Sequence, residues 1–399
     1  MKRLKLFGAA FLLASVLAAN SQASQKIVTF TPGTPVRERI AGLKKLGGKV
    51  LKDLPLINAV TAEFPDKVLE PDILSCPHVC AVEEDQVITW IEAAPAALPL
   101  SYINTSLAAI RAGDYTGFIP APAVPRAAPA FEMQWGVKRV NASAAWSTTM
   151  GQGVKVGIID TGMDYTHPDL KANYAGGYNA LDNSKPPLDD NGHGTHVAGI
   201  IGAVSDGAGV VGVAPKASLY AVKVLNARGS GAYSAIIDGI QWAVNNKMDV
   251  VNMSLGSPSG SAAIQKAVEA AYKAGVTLVM AAGNDSGPVN YPARYPQSIA
   301  VAASDSADNI ASFSSRGPEI AFIAPGVAIN STYMGGLYKS LSGTSMASPH
   351  VAGLAALAVG AGAKTPAAVR KALQSAAVSL GLQPSEQGAG LVDAGNLVK

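Results

Sequence analysis

Residues 154–162 read VKVGIIDTG, an almost continuous apolar run that ends in an aspartate and a glycine. Such runs are typical of parallel strands covered on both faces. Further apolar runs follow: SLYAVKVL (218–225), DVVNMSL (249–255), TLVMAAG (277–283) and IAVAA (299–303). They alternate with segments of helical periodicity at 231–247, 262–275, 345–362 and 366–377. This alternation predicts an α/β fold with a doubly wound, mostly parallel sheet, whose active groups gather at the carboxyl ends of the strands.

Three polar residues stand in distinctive short motifs along this alternation. Asp160 ends the first run, His193 opens HGTHVAG (193–199), and Ser345 lies in GTSMASPH (343–350), at the front of a helical segment. Aspartate, histidine and serine are the three groups of a nucleophilic acyl-transfer relay. Each residue alone has an ordinary reading, as a turn or a helix cap for example. Their order, Asp–His–Ser, separates one lineage of such enzymes from those with other orders.

From about Gln134 to Leu397 the sequence resembles the subtilisin-like serine proteases, in the motifs DTG, HGTHVAG, NMSLG, AAGN and GTSMASPH. The resemblance implies a secreted endopeptidase that hydrolyses peptide bonds of proteins or peptides through an acyl-enzyme. Asp160 would orient His193, the general base, and Ser345 would be the nucleophile. The side-chain amide of Asn284, with the Ser345 backbone N–H, would bind the tetrahedral oxyanion.

The resemblance also implies a substrate channel in which the peptide pairs as an extended strand. Gly229, Ser230 and Gly231 would form one side, and Ser254, Leu255 and Gly256 the other. Tyr233, Ile236 and Leu255 would line a distal apolar pocket, and Ala282, Gly283 and Asn290 would shape the primary pocket. Asn290 replaces a glycine common in the family, so we expect a more polar floor and a preference for large uncharged side chains.

Calcium is the ion that the resemblance implies. Asp169 and Asp206 would supply side-chain oxygens, and Val204, Ala208 and Val210 would supply carbonyls, which suits a hard cation. Gln134 is a further candidate at a different offset, and a plain glycine-rich turn is the alternative. A second, weaker ion site is not expected, because Ala321 stands where an acid is needed beside Glu319. Met346, next to the nucleophile, would be sensitive to oxidation if exposed.

The chain before the enzyme domain divides into three parts. Residues 1–23 read as a signal peptide, with Lys2, Arg3 and Lys5 before an apolar stretch and a small-residue site after Ala23. An uncleaved membrane anchor is the alternative. Residues 24–92 predict a β-α-β-β-α-β order that resembles the family's inhibitory propeptide, a folding template whose end lies in the active site. An unrelated small domain of the same class is the other reading.

Residues 93–130 form an Ala/Pro-rich linker, and residues 131–399 form the peptidase domain. The family's propeptide usually runs almost directly into the enzyme, so this linker leaves the maturation site open, either after Trp90 or anywhere before Phe131. The product would be exported, with its own propeptide as intramolecular chaperone and inhibitor. We expect a monomer that has no contact with the membrane once the signal is removed.

Composition excludes other classes of function. A net charge of +3 over 399 residues gives no basic stripe for nucleic acid. The only cysteines, Cys76 and Cys80, suggest two ordinary thiols or a small local disulfide, because a CPHVC pair is one ligand short of a tetrahedral metal site even with His78. Two rival readings are an inactive relative that serves as a binding module and an aspartic protease that uses DTG. The first would lack a relay residue, and the second needs another aspartate lobe.

Overall fold

The computed structural model describes residues 24–91, 131 and 133–399. The predicted signal peptide and linker lie outside the described residues. Within the described part, none of the helices combines the length and the apolar character needed to cross a membrane.

The N-terminal segment folds as a small sheet covered by helices. Its elements are β1 (Ser24–Phe30), α1 (Val36–Lys45), β2 (Lys49–Leu54), β3 (Ala59–Phe64), α2 (Glu70–Leu74) and β4 (Val79–Glu84). The sheet order is β2-β3-β1-β4, and all neighbours are antiparallel. Alternate residues of a strand face opposite sides. Val28 and Phe30 therefore pack with Leu43 and Ile73 of the helices, whereas Ile27 joins the core of the larger domain.

The last strand of the β-α-β-β-α-β order, which the pattern of residues 79–90 predicts as one strand, is two strands, so this prediction was wrong. The chain breaks pairing after β4, and a separate strand, β5 (Val87–Thr89), pairs with the larger domain instead of with the N-terminal sheet. Asp85 and Gln86 form the break, and their contacts with the larger domain, described below, explain why the strand cannot continue. The N-terminal segment is thus held at its end by the larger domain.

The larger domain carries a nine-stranded sheet of order β16-β17-β13-β12-β11-β10-β6-β8-β7, parallel except at β16–β17. Its strands are β6 (Lys155–Asp160), β7 (Tyr174–Asn179), β8 (Ser218–Lys223), β10 (Val250–Met253), β11 (Thr277–Ala281), β12 (Ile299–Ser304), β13 (Ile320–Pro325), β16 (Ala377–Val378) and β17 (Leu391–Val392). Outside that sheet lie β9 (Ser230–Ala232), β14 (Ile329–Tyr333) and β15 (Leu337–Leu341).

The helices of this domain connect the strands. They are α3 (Trp135–Arg139), α4 (His193–Gly202), α5 (Tyr233–Asn245), α6 (Ala262–Lys273), α7 (Thr344–Gly360), α8 (Pro366–Ala376), α9 (Pro384–Gln387) and α10 (Ala394–Leu397). Every residue of α7 from Thr344 to Val359 is buried, so this helix has no solvent face and forms the centre of one layer. The predicted doubly wound, mostly parallel α/β class is confirmed.

The strand order determines where the polar motifs meet. β6, β10 and β11 are neighbours, and all three run in the same direction. Asp160 is the last residue of β6, and residues 254–256 and 282–284 follow β10 and β11 directly. Side chains at the carboxyl ends of parallel neighbours share one edge of the sheet. The candidate site is therefore assembled at this edge.

Candidate active site

Asp160 and His193 form a buried pair. Nδ1 of His193 lies 2.8 Å from Oδ1 and 3.0 Å from Oδ2 of Asp160, which is fully buried. Thr161 N–H donates to Asp160 Oδ1 at 2.7 Å and fixes the carboxylate. Because a carboxylate accepts, the proton of the imidazole belongs on Nδ1. Nε2 is then the basic nitrogen, and it is buried without a hydrogen-bond partner among the described residues.

The electrostatic surroundings favour protonation of His193. Burial lowers the pKa of the imidazole, but the Asp160 carboxylate, by its charge and hydrogen bond, and the charge of Asp189 outweigh burial, so the pKa is raised above its ordinary value. An imidazolium formed on this histidine would be stabilised by Asp160. The pair can therefore take up a proton and hold it.

Asp189 was missed by the sequence reasoning, and it holds the turn before His193. Its Oδ1 accepts from the N–H groups of Asn191 (3.0 Å) and Gly192 (2.9 Å), and its Oδ2 accepts from the hydroxyl of Thr195 (2.6 Å). Burial raises the pKa of Asp189, but these hydrogen bonds reverse the effect and lower it. A charged group at the start of α4 thus fixes the entry of the histidine. An acidic residue shortly before the HGTH motif was the only sequence signal.

Ser345 is the second residue of α7, which packs against α4, the helix that begins with His193. Backbone N–H groups in the first turn have no intrahelical acceptor, so the N–H of Ser345 is available to a bound group. The side chain is 8% exposed, and its hydroxyl donates to the carbonyl of Ser254 at 3.2 Å. In this state no hydrogen bond joins Ser345 Oγ to the imidazole. Ser345 and His193 thus lie on two helices that pack against each other, without a hydrogen bond between their side chains.

Pro349 lies beyond the first turn of α7, so its missing N–H breaks the hydrogen-bond pattern of the helix. A proline here removes the N–H that would bond the carbonyl four residues earlier, which belongs to Ser345. The hydroxyl of Ser254 supplies the missing donor at 2.8 Å, and it also contacts Ser348 Oγ at 2.9 Å. Ser254 and Ser345 therefore bond each other twice, hydroxyl to carbonyl in both directions. This pairing ties Ser345 to the end of β10.

Asn284 is oriented by Thr344, the residue before Ser345. Its Oδ1 accepts from the backbone N–H of Thr344 at 2.8 Å and from the Thr344 hydroxyl at 2.9 Å. Since the oxygen is used in these two bonds, the amide nitrogen is left on the other side of the group, where it lines the cleft beside Ser345. Two donors, Asn284 Nδ2 and Ser345 N–H, are thus available at one place.

The predicted channel residues are brought together around the end of the N-terminal segment. β5 pairs antiparallel with β9, so that Thr89 faces Ser230 and Ile88 faces Gly231. Beyond β5, Trp90 N–H donates to Gly229 O at 2.9 Å, and Trp90 O accepts from Gly256 N–H at 3.1 Å. The chain is therefore held from both predicted sides of the channel. Ile91 follows in the cleft next to Ser345.

The predicted pockets are also near this segment. The ring of Trp90 lies 5.7 Å from that of Tyr233, and its Nε1–H donates to Gly231 O at 2.8 Å. Ile236 and Leu255 are buried in the same apolar cluster. A cavity of about 230 Å³ is lined by Gly283, Asn284, Asn290 and Ser345 among others. Ala282 lies behind this wall, fully buried, and its carbonyl accepts from Asn290 N–H.

Two carboxylates of the N-terminal segment cap helices of the larger domain. Asp85 Oδ1 accepts from Ser234 N–H at 2.9 Å in the first turn of α5, and Glu83 Oε2 accepts from Ala263 N–H at 3.0 Å in the first turn of α6. Negative charge is favourable at a helix N-terminus. A further ion pair joins Lys52 to Asp238 at 2.6 Å. These contacts hold the N-terminal segment against the larger domain, beside the channel.

The predicted calcium residues lie on one loop facing Asp169. Asp169 Oδ2 accepts from Val210 N–H and from the hydroxyl of Tyr338, both at 2.9 Å. Burial, the bond to Asp169 and the charges of Asp169 and Asp206 all raise the pKa of Tyr338, so both carboxylates lie near this hydroxyl. A Cβ at Gly209 would overlap Asp169 Oδ2, and the positive φ of +56° suits glycine. The loop is thus closed tightly onto Asp169.

The donor set agrees in part with calcium. The carbonyls of Val204, Ala208 and Val210 accept no hydrogen bond from any described residue, which leaves them free for an ion. Gln134 Oε1 accepts from Val211 N–H at 3.3 Å, next to the same loop. Within the described residues no group of three or more His, Cys, Asp or Glu side chains could hold a metal. Any ion here would depend on backbone carbonyls, as calcium can.

The structure also places Met346, His196 and the two cysteines. Met346 is 1% exposed, so the exposure that its oxidation would need is absent. His196 is buried, and its Nε2 donates to the carbonyls of Ile329 and Lys339. Cys76 and Cys80 are free thiols.

Comparison with known proteins identifies the family of the chain. Residues 151–390 match the profile of Peptidase_S8, the Subtilase family. The chain is 42% identical to subtilisin amylosacchariticus of Bacillus subtilis subsp. amylosacchariticus over 85% of this chain and 80% of that protein. It is 50% identical to subtilisin Savinase of Lederbergia lenta, over 65% of this chain and 96% of that protein. It is 54% identical to subtilisin DY of Bacillus licheniformis, over 58% of this chain and 86% of that protein.

These identities extend over most of each relative, and the family match over residues 151–390 includes Asp160, His193 and Ser345. An aspartic protease or an unrelated fold is therefore excluded. The chain belongs to the subtilase family and is a subtilisin-like serine endopeptidase.

Proposed function

We propose that Asp160, His193 and Ser345 form the relay that cleaves the peptide bond. The observation that carries the proposal is the buried Asp160–His193 pair at 2.8 Å, which leaves Nε2 basic at the start of a helix that packs against the helix of Ser345. Attack requires the Ser345 hydroxyl to turn from Ser254 O to Nε2, a change of side-chain rotamer. His193 then takes the proton as Ser345 Oγ bonds to the substrate carbonyl carbon, and later returns it to the leaving amine.

The developing oxyanion would be bound by Asn284 Nδ2 and Ser345 N–H. Both donors are fixed before substrate arrives, the amide by its bonds to Thr344 and the N–H by α7. Donors that need no reorganisation stabilise the charge that develops in the transition state. Replacing Asn284 by alanine should lower kcat by about 10²–10³, with a small change in KM.

We further propose that the chain is an exported zymogen whose N-terminal segment inhibits the enzyme and is removed by Ser345. Support comes from β5, Trp90 and Ile91, which lie in the channel as an extended substrate would. Residues 131–399 make up about two thirds of the chain, so a match to subtilisin amylosacchariticus over 85% reaches into the N-terminal segment. The apolar stretch after Lys2 and Arg3 supports export.

The test is intact mass with N-terminal sequencing of the purified wild type and of Ser345→Ala, both incubated with calcium. We expect the wild type to be trimmed to a fragment that starts between Ile91 and Gln134, while the variant stays at full length. Trimming of both proteins in the absence of any other protease would contradict self-processing by Ser345. Casein hydrolysis by Ser345→Ala would overturn the relay itself.

We also propose that Ca²⁺ binds at the loop of residues 204–210, with oxygens from Asp169 and Asp206 and carbonyls from Val204, Ala208 and Val210. An ion that binds only the folded protein stabilises it by about 2.7 kcal/mol at a concentration of 100 times Kd. Chelation should therefore lower the Tm of Ser345→Ala, and Asp206→Asn should show a smaller drop. A Tm that does not respond to chelation would remove the calcium proposal.

A further inference from the structure

The β14–β15 hairpin lies between the helix of the histidine and the chain that leads to the nucleophile. Its strands pair antiparallel from Ile329↔Leu341 to Tyr333↔Leu337. β15 ends at Leu341, and Ser345 follows four residues later. The hairpin and the nucleophile therefore belong to one short piece of chain. Contacts between the hairpin and α4 therefore join the chain that leads to Ser345 to the helix that begins with His193.

Three consecutive hydroxyl groups of β14 donate to carbonyls at the start of α4. Ser331 Oγ donates to His196 O at 2.8 Å, Thr332 Oγ1 to Thr195 O at 2.7 Å, and Tyr333 Oη to Asn191 O at 2.9 Å. In return, His196 Nε2 donates to Ile329 O and Lys339 O, one on each strand of the hairpin. Burial lowers the pKa of His196 to about 3, so this ring stays neutral and keeps the donor role.

The ring of Tyr333 packs directly under the turn before His193. Gly192 has a φ of +103°, and a Cβ there would overlap the tyrosine ring, so only glycine allows this approach. Lys339 Nζ lies 4.7 Å from the centre of the same ring, a distance at which the cation attracts the aromatic face. The tyrosine is thus held by its ring as well as by its hydroxyl.

One further bond links this turn to the base. Asn191 Oδ1 accepts from the backbone N–H of His193 at 3.2 Å, while the carbonyl of Asn191 accepts from Tyr333. We propose that Tyr333 is a positioning residue, which acts through Asn191 to hold His193 in register with Ser345. The proposal rests on the relay assigned above. Base and nucleophile come from separate elements, and small misplacements of reacting groups lower rates strongly.

The decisive variant is Tyr333→Phe, which keeps the ring and removes only the hydroxyl. Measured on mature enzyme and normalised to the sites titrated with a serine-directed inhibitor, kcat should fall about three- to tenfold, the range of one hydrogen bond of ordinary strength. KM should not change. The acid limb of kcat/KM should move to lower pH, because Asp160 and Asp189 are the charges that raise the pKa of His193 and a looser imidazole feels them less.

Tyr295→Phe is the matched control. Tyr295 is a buried tyrosine whose hydroxyl also donates to a backbone carbonyl, that of Ser261 at 2.7 Å, and accepts from Ser261 N–H at 3.0 Å, but it makes no hydrogen bond to α4. This variant should lower Tm and leave kcat per titrated site and the acid limb as in the wild type. Equal effects of the two variants on kcat would show that Tyr333 only stabilises the fold and would overturn the proposal.

Thr332→Val provides a second route if Tyr333→Phe does not mature. Valine keeps the shape and removes the donor to Thr195 O, so kcat per titrated site should again fall with KM unchanged. Wild-type kcat in this variant would likewise overturn the positioning role of the hairpin. Ser345→Ala distinguishes a failure of the relay from a failure of the positioning proposal. Residual hydrolysis by that protein would defeat the relay, whereas an inactive Ser345→Ala with a fully active Tyr333→Phe defeats the positioning proposal alone.

Discussion

Replacing Ser254 by alanine should destabilise the protein through the carbonyl of Ser345. Pro349 cannot donate to that carbonyl, and the Ser254 hydroxyl at 2.8 Å is its donor. Both groups are buried, so water cannot take over. An unsatisfied buried polar group costs about 1–3 kcal/mol. Asn252 Nδ2, which donates to Ser254 Oγ at 2.9 Å, loses its acceptor as well. We therefore expect a total loss of about 2–5 kcal/mol.

The assay is the Tm of calcium-loaded proteins in a Ser345→Ala background, which removes self-digestion, at one fixed scan rate. The expected loss corresponds to a fall in Tm of roughly 4–10 °C for a domain of this size. Ser348→Ala is the matched control. Its hydroxyl also contacts Ser254, but its removal leaves the Ser345 carbonyl bonded, so its Tm should fall clearly less.

A rescue variant tests the physical reason directly. Pro349→Ala returns an N–H to the position that faces the Ser345 carbonyl, so it should recover at least about 1 kcal/mol when Ser254 is alanine and less when Ser254 is present. Equal falls in Tm for the two serine variants would refute the reasoning. So would the same effect of Pro349→Ala in both backgrounds, because then the proline and Ser254 would not share an acceptor.

Three further predictions follow from the geometry. The pKa of His193 is raised above its ordinary value of 6.5, so the acid limb of kcat/KM should lie above pH 6.5; a limb at or below 6.5 would contradict the electrostatic account. Burial lowers the pKa of His350 to about 4, so the unfolded protein binds a proton at this residue more readily than the folded protein does. The stability that neutral His350 contributes to the fold is complete above pH 6.5 and is lost as the pH falls from 6.5 towards 4. The Tm of Ser345→Ala should accordingly fall over this range, and adding His350→Gln should make the fall less steep. An equally steep fall in that variant would show that His350 does not contribute. Asp85→Ala removes a helix cap worth about 1 kcal/mol, so the N-terminal segment should leave the processed enzyme roughly fivefold faster; an unchanged activation time course would exclude Asp85 as a determinant of release.

The fold class could be predicted because the information is local. Each apolar run needs only its own residues to indicate a strand covered on both faces, and each helical period needs only its own window. The motifs around Asp160, His193 and Ser345 likewise stand in short windows. Strand order brings Asp160 together with residues 254–256 and 282–284, since the carboxyl ends of β6, β10 and β11 share an edge.

The last strand of the N-terminal segment shows where local reasoning fails. Residues 79–90 have one continuous strand pattern, yet pairing changes partner at Asp85 and Gln86. The change depends on Ser234 and Tyr233, whose N–H groups bond these two residues from about 150 positions away. Nothing in the local pattern contains that information.

The sequence by itself determined the α/β architecture and the family, because periodicity and short motifs are properties of neighbours along the chain. Tertiary structure alone decided how the cleft is held. The donor that Pro349 lacks is replaced by the hydroxyl of Ser254, and the hydroxyl of Tyr333 reaches the turn before His193 through the carbonyl of Asn191. The physical reason is that a buried donor or acceptor takes whichever partner the packed fold brings within about 3 Å, and sequence distance has no part in that choice.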